Sequence, residues 1–265
     1  MNFLMNYKTR LFCILWAAGI AGVLSFLLVD ISALVAALPK PPGEPVELPP
    51  PAILKLLSII QPAVLLTLAV LVGVWLAERV GLHAPAAEAA ARGGGFLSKL
   101  KPQIAPGVLA GLASGIVIIL IWIIAKPFLP EEFVIRAQEF NKFIPAAVRL
   151  LYGGFTEELL LRWGVMTFLV WSAWRLVQKG EGTPKPVYFI GAIIASAVVF
   201  AIGHLPLAFA LAGELTAPII ILVITGNSIF GIVAGFLYWK KGLESAAIAH
   251  MFAHIVLIIA IALSF

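Results

Sequence analysis

The sequence has few charged residues and a single cysteine. Charged residues make up 12% of its 265 positions, whereas soluble domains contain about 25%. A water-soluble globule of this length would therefore have too little polar surface to cover its exterior. Cys13 is the only cysteine, which excludes an intrachain disulfide and a cysteine-based metal site.

Alternating strand patterns are absent as well, and long apolar runs dominate instead. Hydrophobic residues make up 62% of the chain. A membrane-spanning helix needs about 20 mostly apolar residues, and the runs fit that length. We expect an all-α, polytopic integral membrane protein with seven transmembrane helices, at 11–29, 53–77, 107–125, 150–177, 188–204, 216–239 and 245–265.

The segments between these spans are of three kinds. Residues 39–51 are rich in proline and predict an extended, polyproline-like loop. Residues 78–104 are rich in alanine and glycine and are interpreted as a flexible loop. Residues 131–144 have apolar positions at helical spacing, which predicts an amphipathic segment on the membrane or leading into span four. The number of spans becomes eight if part of this segment enters the bilayer.

Lysines and arginines concentrate in the loops of one side. Eleven of them precede span one or follow spans two, four and six, whereas five lie in the loops of the other side. The positive-inside rule makes the richer side cytoplasmic, so we predict a cytoplasmic N-terminus, in the plasma membrane of a prokaryote. The net charge of +5 then reflects topology, and nucleic acid is not an expected partner. The first apolar run is longer than a signal-peptide core of 7–15 residues, so we expect a retained span.

Span four contains three ionisable residues, Glu157, Glu158 and Arg162. Each costs about 2.5 to 3.5 kcal/mol at membrane depth on insertion scales, so such residues usually mark a functional site. Glu158 and Arg162 are four positions apart, share a helix face and can pair. Glu157 points elsewhere around the helix and is less easily neutralised, which makes it a candidate base. A purely structural ion network is the alternative.

Three of the four histidines lie in predicted spans. His204 ends span five, one turn after Phe200, which can pack against its imidazole. His250 and His254 lie four positions apart on one face of span seven. This pair can bind a metal together or donate hydrogen bonds to an oxyanion, and the alternative is a pair of buried histidines satisfied by carbonyl groups.

The predicted depths allow these clusters to meet. Glu157 lies roughly 10 Å below the outer face, and His254 lies within several ångströms of that level. We therefore expect one shared cavity. Asn227 of span six either lines this cavity or bonds to another helix, and the pair Gly231 and Gly235 is interpreted as a close helix-packing surface.

Three ordered motifs carry a family resemblance: Glu157-Glu158-x-x-x-Arg162, Phe200-x-x-x-His204 and His250-x-x-x-His254. They resemble those of the CPBP family, which contains Rce1-type CAAX prenyl endopeptidases and relatives that include bacteriocin-processing and self-immunity proteins. The likeness extends from about 150 to 254. It suggests one membrane-embedded domain, with a catalytic core at about 150–265 and supporting N-terminal helices within 1–149.

The resemblance implies an intramembrane endopeptidase in which Glu157 activates water. His204 would position the water, His250 and His254 would form the oxyanion site, and Glu158 and Arg162 would support the first motif. Phe200 and Asn227 are further supporting residues. The family's last motif commonly ends in asparagine, whereas this chain has His254, which can also titrate or bind a metal.

No cofactor is expected under this interpretation. The alternative is a zinc ion held by Glu157, His204, His250 and His254. The expected partners are the lipid bilayer and a membrane-anchored or C-terminally processed protein or peptide substrate. Two other functions stay open, a non-catalytic immunity or maturation partner and an ion-coupled transporter. Missing internal repeats disfavour the transporter.

Overall fold

A computed structural model describes residues 2–37 and 49–263, and within these ranges the chain is helical without a strand. Positions 39–48 of the predicted proline-rich loop lie outside the described residues. Its last residue, Pro51, is the first residue of a helix, where proline is well tolerated. The α-helices of the described ranges are α1 (Asn2–Leu24), α2 (Ile31–Ala37), α3 (Pro51–Leu76), α4 (Pro85–Ala91), α5 (Phe96–Ala125), α6 (Glu131–Phe143), α7 (Thr167–Leu176), α8 (Pro186–Gly203), α9 (Leu205–Ala212), α10 (Ala217–Lys240) and α11 (Leu243–Ala262).

Six helical stretches of the described chain are long and apolar enough to cross a membrane. They are Tyr7–Leu28, Pro51–Leu76, Phe96–Phe128, Pro186–Ala212, Ala217–Lys240 and Leu243–Ala262. They coincide with predicted spans one, two, three, five, six and seven, which confirms an all-helical integral membrane protein. Predicted span four is helical but is not one of the six, so the expected count of seven or eight is not confirmed.

Residues 148–176, called the motif helix below, contain predicted span four. This helix is π-helical over Val148–Thr156 and Leu159–Met166 before it continues as α7. The Glu157 amide donates to the Tyr152 carbonyl, five residues back rather than four. Predicted span four is therefore helical, but much of it has π-geometry. Wider π-turns inside helices are frequent at functional sites.

Small residues let other helices approach the motif helix closely. A Cβ atom on Gly154 would come within 2.5 Å of Met251 Cγ on α11. On the α1 side, the Thr156 hydroxyl donates to the Gly19 carbonyl over 2.8 Å. The motif helix also packs along α3 and α8. It is therefore surrounded by helices, and its central charged residues, Glu157, Glu158 and Arg162, lie in the interior of the bundle.

The expectation of a flexible loop over 78–104 was wrong. The segment contains α4, and α5 begins at Phe96, eleven residues before the predicted start of span three at 107. Glycines form the turn between the two helices, where Gly93 and Gly95 have φ angles of 102° and 76°. Alanine is the best helix former, so a run of alanines that is buried on one side forms a short helix.

Two carboxylates fix α4 at the end of the bundle where α10 leads into α11. The Glu244 carboxylate of α11 accepts the Ala86 and Ala87 amides at 2.9 Å. Glu88 Oε1 lies 3.3 Å from His83 Nδ1, and this hydrogen bond raises the pKa of His83. Burial alone would raise the pKa of Glu88, but its bonds to His83 and to the Ala84 amide lower it. This end of the bundle is therefore held by charge-assisted bonds.

The predicted amphipathic segment forms α6 and lies at the other end of the bundle. Phe133 of α6 packs with Leu211 of α9 and Ile219 of α10 in a small apolar cluster. Arg136 extends from the same helix to the Leu211 carbonyl. The segments 126–143 and 205–219 therefore pack together at the end of the bundle opposite α4.

Candidate active site

The centre of the motif helix contains a buried ion pair. Arg162 Nε lies 3.3 Å from Glu158 Oε2, and both side chains are fully buried. Arg162 also donates to the Gly231 carbonyl of α10 at 3.0 Å, and its guanidinium lies over the Phe200 ring. The predicted pairing along one helix face is confirmed, and the pair additionally ties the motif helix to α8 and α10.

Glu158 has a second contact that connects it to α11. Its Oε1 lies 2.9 Å from His250 Nδ1. A carboxylate beside Arg162 accepts hydrogen bonds, so His250 carries its proton on Nδ1 and its Nε2 faces the other way. This arrangement fixes the tautomer and the orientation of the ring, as a carboxylate does behind a catalytic histidine.

Glu157 lies on the free side of the same histidine. Its Oε2 is 3.9 Å from His250 Nε2, and its side chain is 18% exposed. Arg162 is paired with Glu158 instead, so Glu157 has no guanidinium partner. The two adjacent carboxylates therefore occupy different environments, one fully paired and one open.

His204 and His254 complete the group of histidines. His204 Nδ1 lies 2.8 Å from the Phe200 carbonyl, and the two rings meet edge to face with centroids 4.7 Å apart, as predicted. The rings of His250 and His254 are stacked, with centroids 4.8 Å apart. A Cβ atom on Gly153 would overlap His254 Nε2, and His254 Nδ1 is buried without a hydrogen-bond partner.

A cavity of about 490 Å³ brings six of the predicted residues together. Its walls include Glu157, Phe200, His204, Asn227, His250 and His254. Glu158 and Arg162 do not line it and lie behind the wall. The cavity predicted from span depths is therefore present, and the residues assigned to support lie outside it, except for Phe200 and Asn227.

Span six contributes less to polar contacts between helices than expected. Asn227 Nδ2 donates to the Val223 carbonyl of its own helix at 2.8 Å, so the alternative of a bond between helices was wrong. Gly231 and Gly235 face Ala197 and Ile193 of α8 at close range, which confirms them as a packing surface.

The sequence interpretation missed three polar residues at the same cavity. Arg149, Asn141 and Tyr152 also line it. Arg149 had been counted only among the loop charges, and Asn141 only as part of an amphipathic segment. A polar face on α6 directed toward span four was the only signal that could have found them.

A second cavity, of about 620 Å³, lies on the other side of Glu157. Tyr152, Glu157, Phe200 and His204 line both cavities. The remaining walls of the second cavity are mostly apolar and come from α3, the motif helix and α8. Glu157 and His204 therefore lie where two openings meet.

The four candidate metal ligands do not form a ligand cluster. In the part of the chain that the structure describes, no group of three or more His, Cys, Asp or Glu side chains is arranged to hold a metal ion. His250 has one ring nitrogen bound to Glu158 and only the other free.

Comparison with known proteins identifies the segment that contains this site. The family model described as type II CAAX prenyl endopeptidase, Rce1-like, matches residues 138–256. No curated protein and no solved structure gives a match. The matched segment contains all three motifs, both residues of the buried ion pair and the C-terminal part of α6. Residues 138–256, a little under half of the chain, therefore resemble the Rce1-like type II CAAX prenyl endopeptidases.

Proposed function

We propose that this protein is an intramembrane endopeptidase that hydrolyses a peptide bond of a membrane-anchored protein or peptide with a water molecule activated by Glu157. The observation that carries the proposal is the contrast between the two adjacent glutamates. Glu158 is neutralised by Arg162 and hydrogen-bonded to His250, whereas Glu157 has no guanidinium partner among the described residues, lies 3.9 Å from His250 Nε2 and faces a cavity. A free carboxylate in a cavity at membrane depth is suited to accept a proton.

In the proposed reaction, Glu157 accepts a proton from water as the water oxygen bonds to the carbonyl carbon of the substrate. The carbonyl π electrons move to the oxygen, which becomes an oxyanion. The carbon–nitrogen bond then breaks, and the departing amine takes the proton from Glu157. The reaction consumes one water and needs no further reactant, so a metal ion or cofactor is not required.

The histidines have separate roles in this proposal. His204 lies where the two cavities meet and positions the water. When its Nε2 is protonated as well, His250 donates to the oxyanion from that nitrogen, and Glu158 stabilises the resulting imidazolium from Nδ1. His254 stacks on His250, and its unpartnered Nδ1 supplies a second donor.

We further infer that the motif helix also crosses the membrane. This brings the number of spans to seven, all within a single domain. Its first turns lie beside α6 at the outer end, where Arg149 bonds to Asn141. Its last turns contact the segment Glu78–Val80 at the inner end. The apolar core is continuous from Tyr7 of α1 to Ala253 of α11. We place the N-terminus in the cytoplasm because the loops on its side of the bundle have more basic residues, and we propose the plasma membrane of a prokaryote as the location.

The test is cleavage of a farnesylated peptide ending in a CAAX sequence by the purified protein in detergent or liposomes. Glu157→Gln keeps the shape of the side chain and removes its basicity. We expect the cleavage rate to fall by roughly a hundredfold to ten-thousandfold, the usual contribution of a general base. Glu139→Gln, which removes an exposed carboxylate of α6, is the matched control and retains the full rate.

The other functions predict different results in the same assay. A non-catalytic partner binds the peptide without cleaving it, and a coupled transporter shows uptake into liposomes that depends on Glu157. Loss of activity with a chelator, restored by zinc, would favour the metal-dependent alternative. Full activity of Glu157→Gln would show that the base is another group.

A further inference from the structure

The catalytic cavity contains only one permanently cationic side chain. Among the residues that line the 490 Å³ cavity, Arg149 is the only arginine or lysine and Glu157 is the only acid. The second cavity has Glu157 and no arginine or lysine. Positive charge is therefore confined to one of the two openings.

Arg149 differs from two nearby arginines, Arg136 and Arg162, in its hydrogen-bond partners. Arg136 is paired with Glu132 and Arg162 with Glu158. Arg149 has no carboxylate partner within residues 2–37 and 49–263. Only its Nη2 is engaged, with the carbonyl and the side-chain oxygen of Asn141 at 3.2 and 2.8 Å.

Burying such an arginine costs free energy unless an anion binds to its free N–H groups. A half-buried cation in a membrane protein is expensive and usually has a partner or a function. The Asn141 contacts hold one edge of the guanidinium in place, and the other N–H groups are not buried. A guanidinium held in this way presents a planar pair of donors, which matches a carboxylate.

We propose that Arg149 binds the C-terminal carboxylate of the substrate and so sets the distance between the cleaved bond and the end of the chain. This inference rests on the proposed function of Glu157. Arg149 and Glu157 are eight positions apart on one helix, at most about 12 Å along its axis. An extended peptide covers that distance with about three to four residues.

The two cavities then fix the direction in which the substrate lies. The C-terminal residues occupy the cavity that contains Arg149, because the carboxylate is neutralised there. The part of the substrate that precedes the cleaved bond occupies the second cavity. Leu65 and Leu68 of α3 line that opening and are about half exposed on the membrane-facing surface, so an apolar anchor can extend from the cavity into lipid.

The experiment compares two farnesylated CAAX peptides that differ only at the C-terminus, one a free carboxylate and one a carboxamide. Both kcat/KM for cleavage and the affinity for the Glu157→Gln protein are measured. We expect the wild type to favour the carboxylate roughly tenfold to a hundredfold, as for hydrogen bonds to a charged group. Most of this preference is expected in KM and in binding affinity.

The variants assign the preference to Arg149. Arg149→Gln should bring the ratio between the two peptides close to one, and Arg149→Lys should restore part of it because the charge remains without the planar fork. Arg136→Gln removes a cation that does not line the cavity and should keep the ratio of the wild type. Extending the carboxylate peptide by two residues should lower its kcat/KM and its binding affinity for the wild type but not for Arg149→Gln.

The outcomes separate this inference from the proposed function. Equal use of both peptides by the wild type, or an equal loss for both in Arg149→Gln, overturns the carboxylate site and leaves the role of Glu157 intact. If no peptide is cleaved, the proposed function fails for this substrate, and the binding measurement alone decides the carboxylate site.

Discussion

At the scale of single residues, the described part of the chain has three glutamate–arginine pairs four positions apart, and two of them have opposite surroundings. Glu158 and Arg162 are fully buried, whereas the side chain of Glu132, paired with Arg136, is 78% exposed. An exposed pair contributes little because water screens it. Removing one partner of a buried pair leaves an uncompensated charge, which is strongly destabilising. The two pairs therefore form an internal comparison.

We expect Glu158→Gln to lower the free energy of unfolding by about 3–5 kcal/mol, because Arg162 loses its counter-charge. Glu132→Gln should change it by less than about 1 kcal/mol. Denaturant titration of both variants in the same detergent measures the difference. Similar small losses would mean that the Gly231 carbonyl and the Phe200 ring are enough to stabilise Arg162.

The buried pair could be predicted from the sequence because its residues are four positions apart on one helix. The contact between Glu158 and His250 could not, because 92 positions separate them and only the packing of α11 on the motif helix brings them together. The sequence therefore predicted the residues of the candidate site. For Glu158 it predicted the contact with Arg162 but not the one with His250. Arg149 was overlooked for a similar reason, since its partner Asn141 lies on a separate helix.

At the scale of elements, the motif helix combines π-helical turns with close glycine contacts. Periodicity arguments assume 3.6 residues per turn, so they cannot detect a change to π-geometry. The glycines at 153 and 154 carry no side chain that a hydrophobic pattern would register. Their importance becomes visible only when α11 is seen against them, with His254 next to Gly153 and Met251 next to Gly154.

Gly153→Ala tests this contact because the added Cβ would overlap the His254 ring. We expect a loss of about 1–3 kcal/mol in stability, as for overpacking elsewhere, together with slower cleavage. Gly191→Ala is the control, since a Cβ there meets nothing within 4 Å. Alanine in a helix is favoured over glycine by about 0.5–1 kcal/mol, so the control should raise Tm. A Gly153→Ala protein as stable as the control would contradict the close packing.

At the scale of the whole molecule, composition alone predicted the helical membrane fold, and most spans were located within a few residues. Two regions were not predicted well, for physical reasons. The alanine-rich segment forms α4 because Glu244, more than 150 positions later, accepts two of its amides. Predicted span four contains charges that length and apolarity do not accommodate, so its crossing of the membrane stays a prediction.

Labelling of introduced cysteines can decide whether the motif helix crosses the membrane. In a Cys13→Ala background, Glu139→Cys precedes this helix and Glu181→Cys follows it, and both positions are exposed. We expect a membrane-impermeant maleimide to label Glu139→Cys in intact cells, but Glu181→Cys only after permeabilisation. Labelling of both from the same side would mean six spans and would place the ends of the motif helix on one face.

The position of α11 also determines when the site is assembled during biosynthesis. This helix packs against α5 and the motif helix and carries His250 and His254. Spans leave the ribosome in order, so Glu157 enters the membrane long before its histidine partners. Until α11 inserts, the carboxylate has no His250 beside it and the cavity lacks one wall. The nascent chain is therefore unable to form the site, and the membrane-insertion machinery is not exposed to a competent protease.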